Sequence, residues 1–190
     1  MKTTRILISI LVLSLSIFTV IIVKAQYPEI VSTLSSITRT SDDFTPLEDC
    51  PVTQPQEPPF TPPLLYPPDV PSEDQFWYGS DSLWTMLQVD GIWDWLPYYP
   101  EEGGHYFNKV VWWNEKYNWK KEPRPNLTVT AHRFDDPSVT YETSNATNAY
   151  EPTFGSVIMT GVEIPSPGCW EFTGQYGDVQ LSFVVWVARQ

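Results

Sequence analysis

The sequence predicts an all-β domain, and three observations carry that prediction. Residues 179–187 alternate: Val179, Leu181, Phe183, Val185 and Val187 share one face, and Gln180 and Ser182 begin the other. Nineteen prolines among 190 residues, with aromatic residues at 15%, disfavour long helices and favour short strands joined by turns. Short β-prone runs also recur through the second half of the chain, separated by Gly, Asp and Pro signals, as in a sandwich or barrel.

The N-terminus is read first. Met1-Lys2-Thr3-Thr4-Arg5 carries two positive charges and no acid, and residues 6–23 are an uncharged run of 18, mostly Ile, Leu and Val. Val23-Lys24-Ala25 fits a signal-peptidase site, so cleavage is expected after Ala25. The alternative is a retained anchor, since 18 apolar residues lie at the lower edge of what spans a bilayer. Either way residues 26–190 are exported. Residues 26–49 are polar with Ser/Thr clusters and read as a flexible stalk. Residues 46–71 hold ten prolines, and the segment 50–75 is expected to be an extended, polyproline-like tether.

The folded part is expected over residues 76–190. Residues 83–88 form a strand, Asp90-Gly91 a turn, and residues 92–95 resume extended structure. Residues 109–113, 127–134 and 154–164 are further strands; in 127–134 Leu127, Val129 and Ala131 share a face. Residues 169–173 and 179–187 form a closing hairpin about Tyr176-Gly177-Asp178. Residues 160–170 run from a strand through a Pro-Gly corner to an aromatic, as the last hairpin of many immunoglobulin-like sandwiches does. The expected architecture is therefore an immunoglobulin-like β-sandwich on an extended Pro-rich tether.

Cys50 and Cys169 are the two cysteines. In an exported chain such a pair is expected to form a disulfide, the alternative being two buried thiols. Removing residues 1–25 leaves 8 basic residues against 23 acids, a net charge of −15. That charge disfavours nucleic acid and anionic membrane surfaces as partners. Membrane association is expected only if the N-terminal segment is retained.

Several of these residues carry a resemblance. Cys50-Pro51-Val52-Thr53, residues 78–84 (YGSDSLW), Trp112-Trp113, residues 127–130 (LTVT) and residues 168–174 (GCWEFTG) resemble a group of uncharacterised secreted or lipoprotein-like bacterial proteins, over roughly residues 50–188. The resemblance implies the Cys50–Cys169 bridge and a bacterial envelope setting, and it implies no activity. Many members have an Arg after the paired Trp; here Asn114-Glu115-Lys116 stands instead, so no role of that Arg carries over.

No catalytic constellation emerges. His105 and His132 are the two histidines, no Gly-x-Ser-x-Gly elbow is present, and no His spacing suits a metal. Asp42-Asp43, Glu48-Asp49, Glu101-Glu102 and Asp135-Asp136 are read as solvated loop acids rather than a glycosidase pair. The sequons at Asn126 and Asn145 are expected to be unmodified, given the bacterial resemblance. No cofactor and no metal are expected.

Seven of nine tryptophans lie between Trp77 and Trp119. If residues 110–113 are a strand, Trp112 and Trp113 point to opposite faces, and one must face away from the core. Trp93 and Trp95 share a face if extended. Cover of the outward Trp by the Pro-rich segment is the expectation, and the alternative is a candidate ligand platform of Trp93, Trp95, Trp112 and Trp113. The expected function is an exported, non-catalytic envelope or extracellular module with a structural or protein-binding role. A carbohydrate-binding module using exposed tryptophans is the second expectation and a hydrolase the third.

Overall fold

The structure, a computed structural model, describes residues 49–66, 72–143 and 145–189. The signal peptide and nearly all of the stalk expected from the sequence lie outside the described residues. Within them the chain is a sandwich of two β-sheets. The first sheet has the order β1 (Gln75–Ser80), β2 (Leu83–Gln88), β5 (His105–Trp113), β9 (Gly155–Ile164) and β8 (Thr147–Glu151), with β4 (Tyr98–Tyr99) also on β5. The second has the order β3 (Ile92–Trp93), β11 (Val179–Val187), β10 (Gly168–Tyr176), β6 (Leu127–Arg133) and β7 (Thr140–Thr143). All pairings are antiparallel except β3 with β11.

Alternation places the core. Trp170, Phe172, Phe183, Val185, Val129 and Ala131 of the second sheet meet Leu83, Leu87, Val110, Trp112, Ile158 and Val162 of the first. The Trp112 indole reaches across the sandwich to Gly174, where an added Cβ would sit 2.5 Å from its ring carbons. Glycine at 174 is therefore a packing requirement. The Trp112 Nε1–H donates to Thr160 Oγ1 on β9 at 3.0 Å, so the buried indole is satisfied.

Cys50 and Cys169 form a disulfide that closes a separation of 119 residues, with 5.6 Å between their Cα atoms. It fastens the start of the Pro-rich segment to β10. From there the segment runs as a strap rather than a loose tether. The Thr53 N–H donates to Val184 O at 2.9 Å and Thr53 Oγ1 accepts from the Val184 N–H at 2.7 Å, which extends the β11 edge beyond β3. The Gln56 side chain then grips the β1 edge: its Oε1 accepts from the Gly79 N–H at 3.1 Å and its Nε2 donates to Gly79 O at 3.2 Å. A segment with so few N–H groups satisfies both sheets largely through side chains.

Candidate functional site

The four platform tryptophans separate. Trp112 is fully buried between the sheets, and Trp93 is buried against Phe172 with ring centroids 4.8 Å apart. Trp113 points to the outer face of the first sheet, as strand alternation requires, yet it is only 3% exposed. There it forms a second apolar cluster with Trp77, Trp84 and Val157, and Phe60 and Tyr66 of the strap pack on that cluster. Tyr66 meets the Trp84 ring edge-on at 4.9 Å, Phe60 approaches it at 6.1 Å, and Trp77 and Trp113 are edge-to-face at 5.0 Å. Trp112 and Trp113 therefore offer no ring to a ligand, and Trp93 offers no exposed platform.

Trp95 stays open, at 68% exposure. It does not share a face with Trp93, because β3 ends at Trp93 and Trp95 adopts φ +54. A left-handed conformation is unfavourable for a bulky side chain, and such residues concentrate at functional sites. Here it turns the indole out of the core between Asp94 and Leu96.

Those two neighbours line a cleft that interrupts the first sheet. Along one edge β5 pairs with β9 through residues 106–112. Its other edge is divided. β4 pairs with His105 and Tyr106, Pro97 O accepts the Phe107 N–H at 2.9 Å, and β2 pairs only with Trp112 and Trp113. Residues 108–111 between them have no partner strand on that side among the described residues. At ~3.3 Å per residue this opening is about 13 Å long. A cavity of about 240 Å³ fills it, lined among others by Gln75, Met86, Gln88, Trp93, Asn108 and Lys109. A shallower depression shares Gln88, Ile92 and Asp94 with it and adds Asp74 and Asp90.

The exposed edge of β5 is capped by its own side chains. The Lys109 N–H donates to Asn108 Oδ1 at 2.8 Å, and Val111 O accepts from Thr85 Oγ1 at 2.8 Å. Gln75 lines the cavity, but its Oε1 is fully buried with no hydrogen-bond partner among the described residues, as are Trp84 Nε1 and Trp186 Nε1. An unmatched buried acceptor is unfavourable unless something donates to it.

The remaining sequence candidates lie elsewhere. His132 on β6 faces Glu171 on β10 across the outer surface of the second sheet, Nε2 to Oε2 3.0 Å. His105 stacks on Tyr99, centroids 5.5 Å apart. Asp135 is held by Arg133 through Nε and Nη2, which keeps its carboxyl below the usual carboxylate range. Asn126 and Asn145 are both exposed and line one surface depression. Asn114, standing where the resemblance has Arg, is buried: its Nδ2 donates to Ser82 O in the β1–β2 turn, and its carbonyl accepts from Tyr66 Oη at 3.4 Å. No group of three His, Cys, Asp or Glu among the described residues is placed to hold a metal ion. No helix among the described residues is long and apolar enough to cross a membrane.

No residue pattern pointed to the cleft, because Gln75, Gln88 and Asn108 come from three separate strands and Asp94 from the loop after β3. Comparison with protein-family models, with curated proteins and with solved structures finds no match to this chain.

Proposed function

We propose that this chain is an exported, non-catalytic binding module, an immunoglobulin-like sandwich whose ligand seat is the cleft between β2 and β5. The observation that carries the reading is the opening itself. A sheet paired elsewhere along β5 parts at residues 108–111, and its edge groups are met by Asn108 and Thr85 rather than by a strand. Amide, carboxylate and ammonium side chains line the cavity together with the apolar Leu87, Leu96 and Val110, which suits binding and orientation of a ligand. The Cys50–Cys169 bridge suits an oxidising compartment and so supports export.

The test is amide chemical-shift mapping of the full disulfide-bonded protein against soluble oligosaccharides and random extended peptides. Shifts should cluster at Gln75, Gln88, Trp95 and Asn108. Ligand-induced shifts confined to the His132–Glu171 face would refute the assignment, and turnover of any member of a hydrolase substrate panel would refute the non-catalytic reading. One observation favours a second reading, direct protein contact. Leu64 and Leu65 are wholly exposed at the corners of a turn closed by the Tyr66 N–H on Pro63 O at 2.8 Å.

A further inference from the structure

We infer that Asn126 and Asn145 are modification sites that carry N-linked glycans, against the expectation drawn from the bacterial resemblance. They stand in the sequons Asn126-Leu127-Thr128 and Asn145-Ala146-Thr147. Sequons are short and recur by chance, so the weight falls on what the fold does with these two. The chain has six asparagines, all of them among the described residues. Four have their carboxamides engaged. Asn108 Oδ1 accepts from the Lys109 N–H, Asn114 Nδ2 donates to Ser82 O, Asn118 Oδ1 accepts from the Lys120 N–H, and Asn148 Nδ2 donates to Trp119 O. Asn126 and Asn145 are held through their backbones instead, by N–H bonds to Glu122 Oε1 and Thr143 Oγ1, and their carboxamides make no hydrogen bond among the described residues.

The two-residue period of extended chain turns each acceptor outward together with its sequon hydroxyl. The middle residues Leu127 and Ala146 are buried, while Asn126, Asn145 and Thr147 are exposed and Thr128 is half-buried. Asn126 directly precedes β6, and Asn145 lies in the connection between β7 and β8, the edge strands of the two sheets. Both line one surface depression with Arg124 and Asn148. A glycan is bulky and must stand in solvent, so a folded chain tolerates one where the Asn is exposed and its carboxamide is not spent on the fold. Rooted here, a glycan would also screen the two sheet edges, where unpaired backbone groups invite another chain.

Modification requires the export proposed above and is independent of the cleft. The donor class is a lipid-pyrophosphate-linked oligosaccharide. Asn Nδ2 bonds to its anomeric carbon as the bond from that carbon to the pyrophosphate oxygen breaks. Lipid pyrophosphate leaves with the electron pair, and one amide proton passes to a base of the transferase.

The experiment recovers the full chain from its natural host and maps its peptides by mass, before and after enzymatic hydrolysis of glycosylated amides in heavy-oxygen water. Asn126 and Asn145 should each carry a saccharide mass that hydrolysis replaces with labelled Asp. Thr128→Val and Thr147→Val, expressed in the same host, should each remove one glycan and spare the other. A glycan that persists after its threonine is replaced overturns the assignment to that sequon. Protein exported at bare polypeptide mass overturns both sites and leaves export standing. Chain found only inside the cells, without glycan, removes export and the modification together.

Discussion

The outer face of the first sheet and the opening between β2 and β5 use aromatic residues in opposite ways. On the face, Trp77, Trp84 and Trp113 form a patch that would be a large apolar surface if bare, and the strap covers it with Phe60 and Tyr66. Near the opening Trp95, between the cavity-lining Asp94 and Leu96, is 68% exposed. One region spends its hydrogen bonds and rings on closure: Thr53 on β11, Gln56 on Gly79, Tyr66 on Asn114. The other leaves β5 without a partner strand at residues 108–111 among the described residues, its edge groups met by Asn108 and Thr85. The lesson is that tryptophan density does not by itself mark a site, because the rings of the dense cluster are covered by the strap.

The difference can be broken first at the disulfide. Cys50→Ser, or reduction, frees the strap at its first residue. The loop-entropy model puts the loss at about 4–5 kcal/mol for a loop this long, which thermal melts would show as a drop of roughly 10–15 °C. Trp113→Ala follows, at about 3–5 kcal/mol, because it empties a buried site beneath the strap. Gly174→Ala is next, at about 1–3 kcal/mol, since the new methyl meets the Trp112 ring; denaturant titration measures both.

Alkaline pH sharpens the same contrast. Burial, with Glu115 nearby, raises the Tyr66 hydroxyl above its ordinary value of 10.0, and burial with Glu122 pushes Tyr117 up to about 12. A phenol whose folded pKa is raised stabilises the fold fully below the unfolded value, and that contribution is lost as pH rises through the folded one. Tm should therefore fall as pH rises from 10 towards 12, and Tyr66→Phe should make that fall shallower. The smallest effect is expected at the opening: Trp95→Ala should change stability by no more than about 0.5 kcal/mol.

Much of the fold was legible in the sequence. Residues 83–88 and 179–187 match β2 and β11 end to end, because turns and alternation define them sharply. The Trp112–Trp113 split followed from the two-residue period alone. β1, β4, β7 and β8 went unread; of these β4, β7 and β8 are short edge strands with few buried residues, so burial leaves a weak mark on their pattern. The Trp93–Trp95 pairing failed because nothing local announced that β3 stops after two residues. The strap's path was illegible for another reason. Its anchors, Val184 and Gly79, lie 131 and 23 residues from their partners Thr53 and Gln56, and proline content gives stiffness without direction.

Oxidation of the native protein by limiting N-bromosuccinimide, mapped residue by residue, tests the contrast most directly. Trp95 should react first, with Trp77, Trp84 and Trp113 protected until the Cys50–Cys169 bridge is reduced and the strap lifts. Trp84 or Trp113 reacting as fast as Trp95 in the oxidised protein would contradict the account.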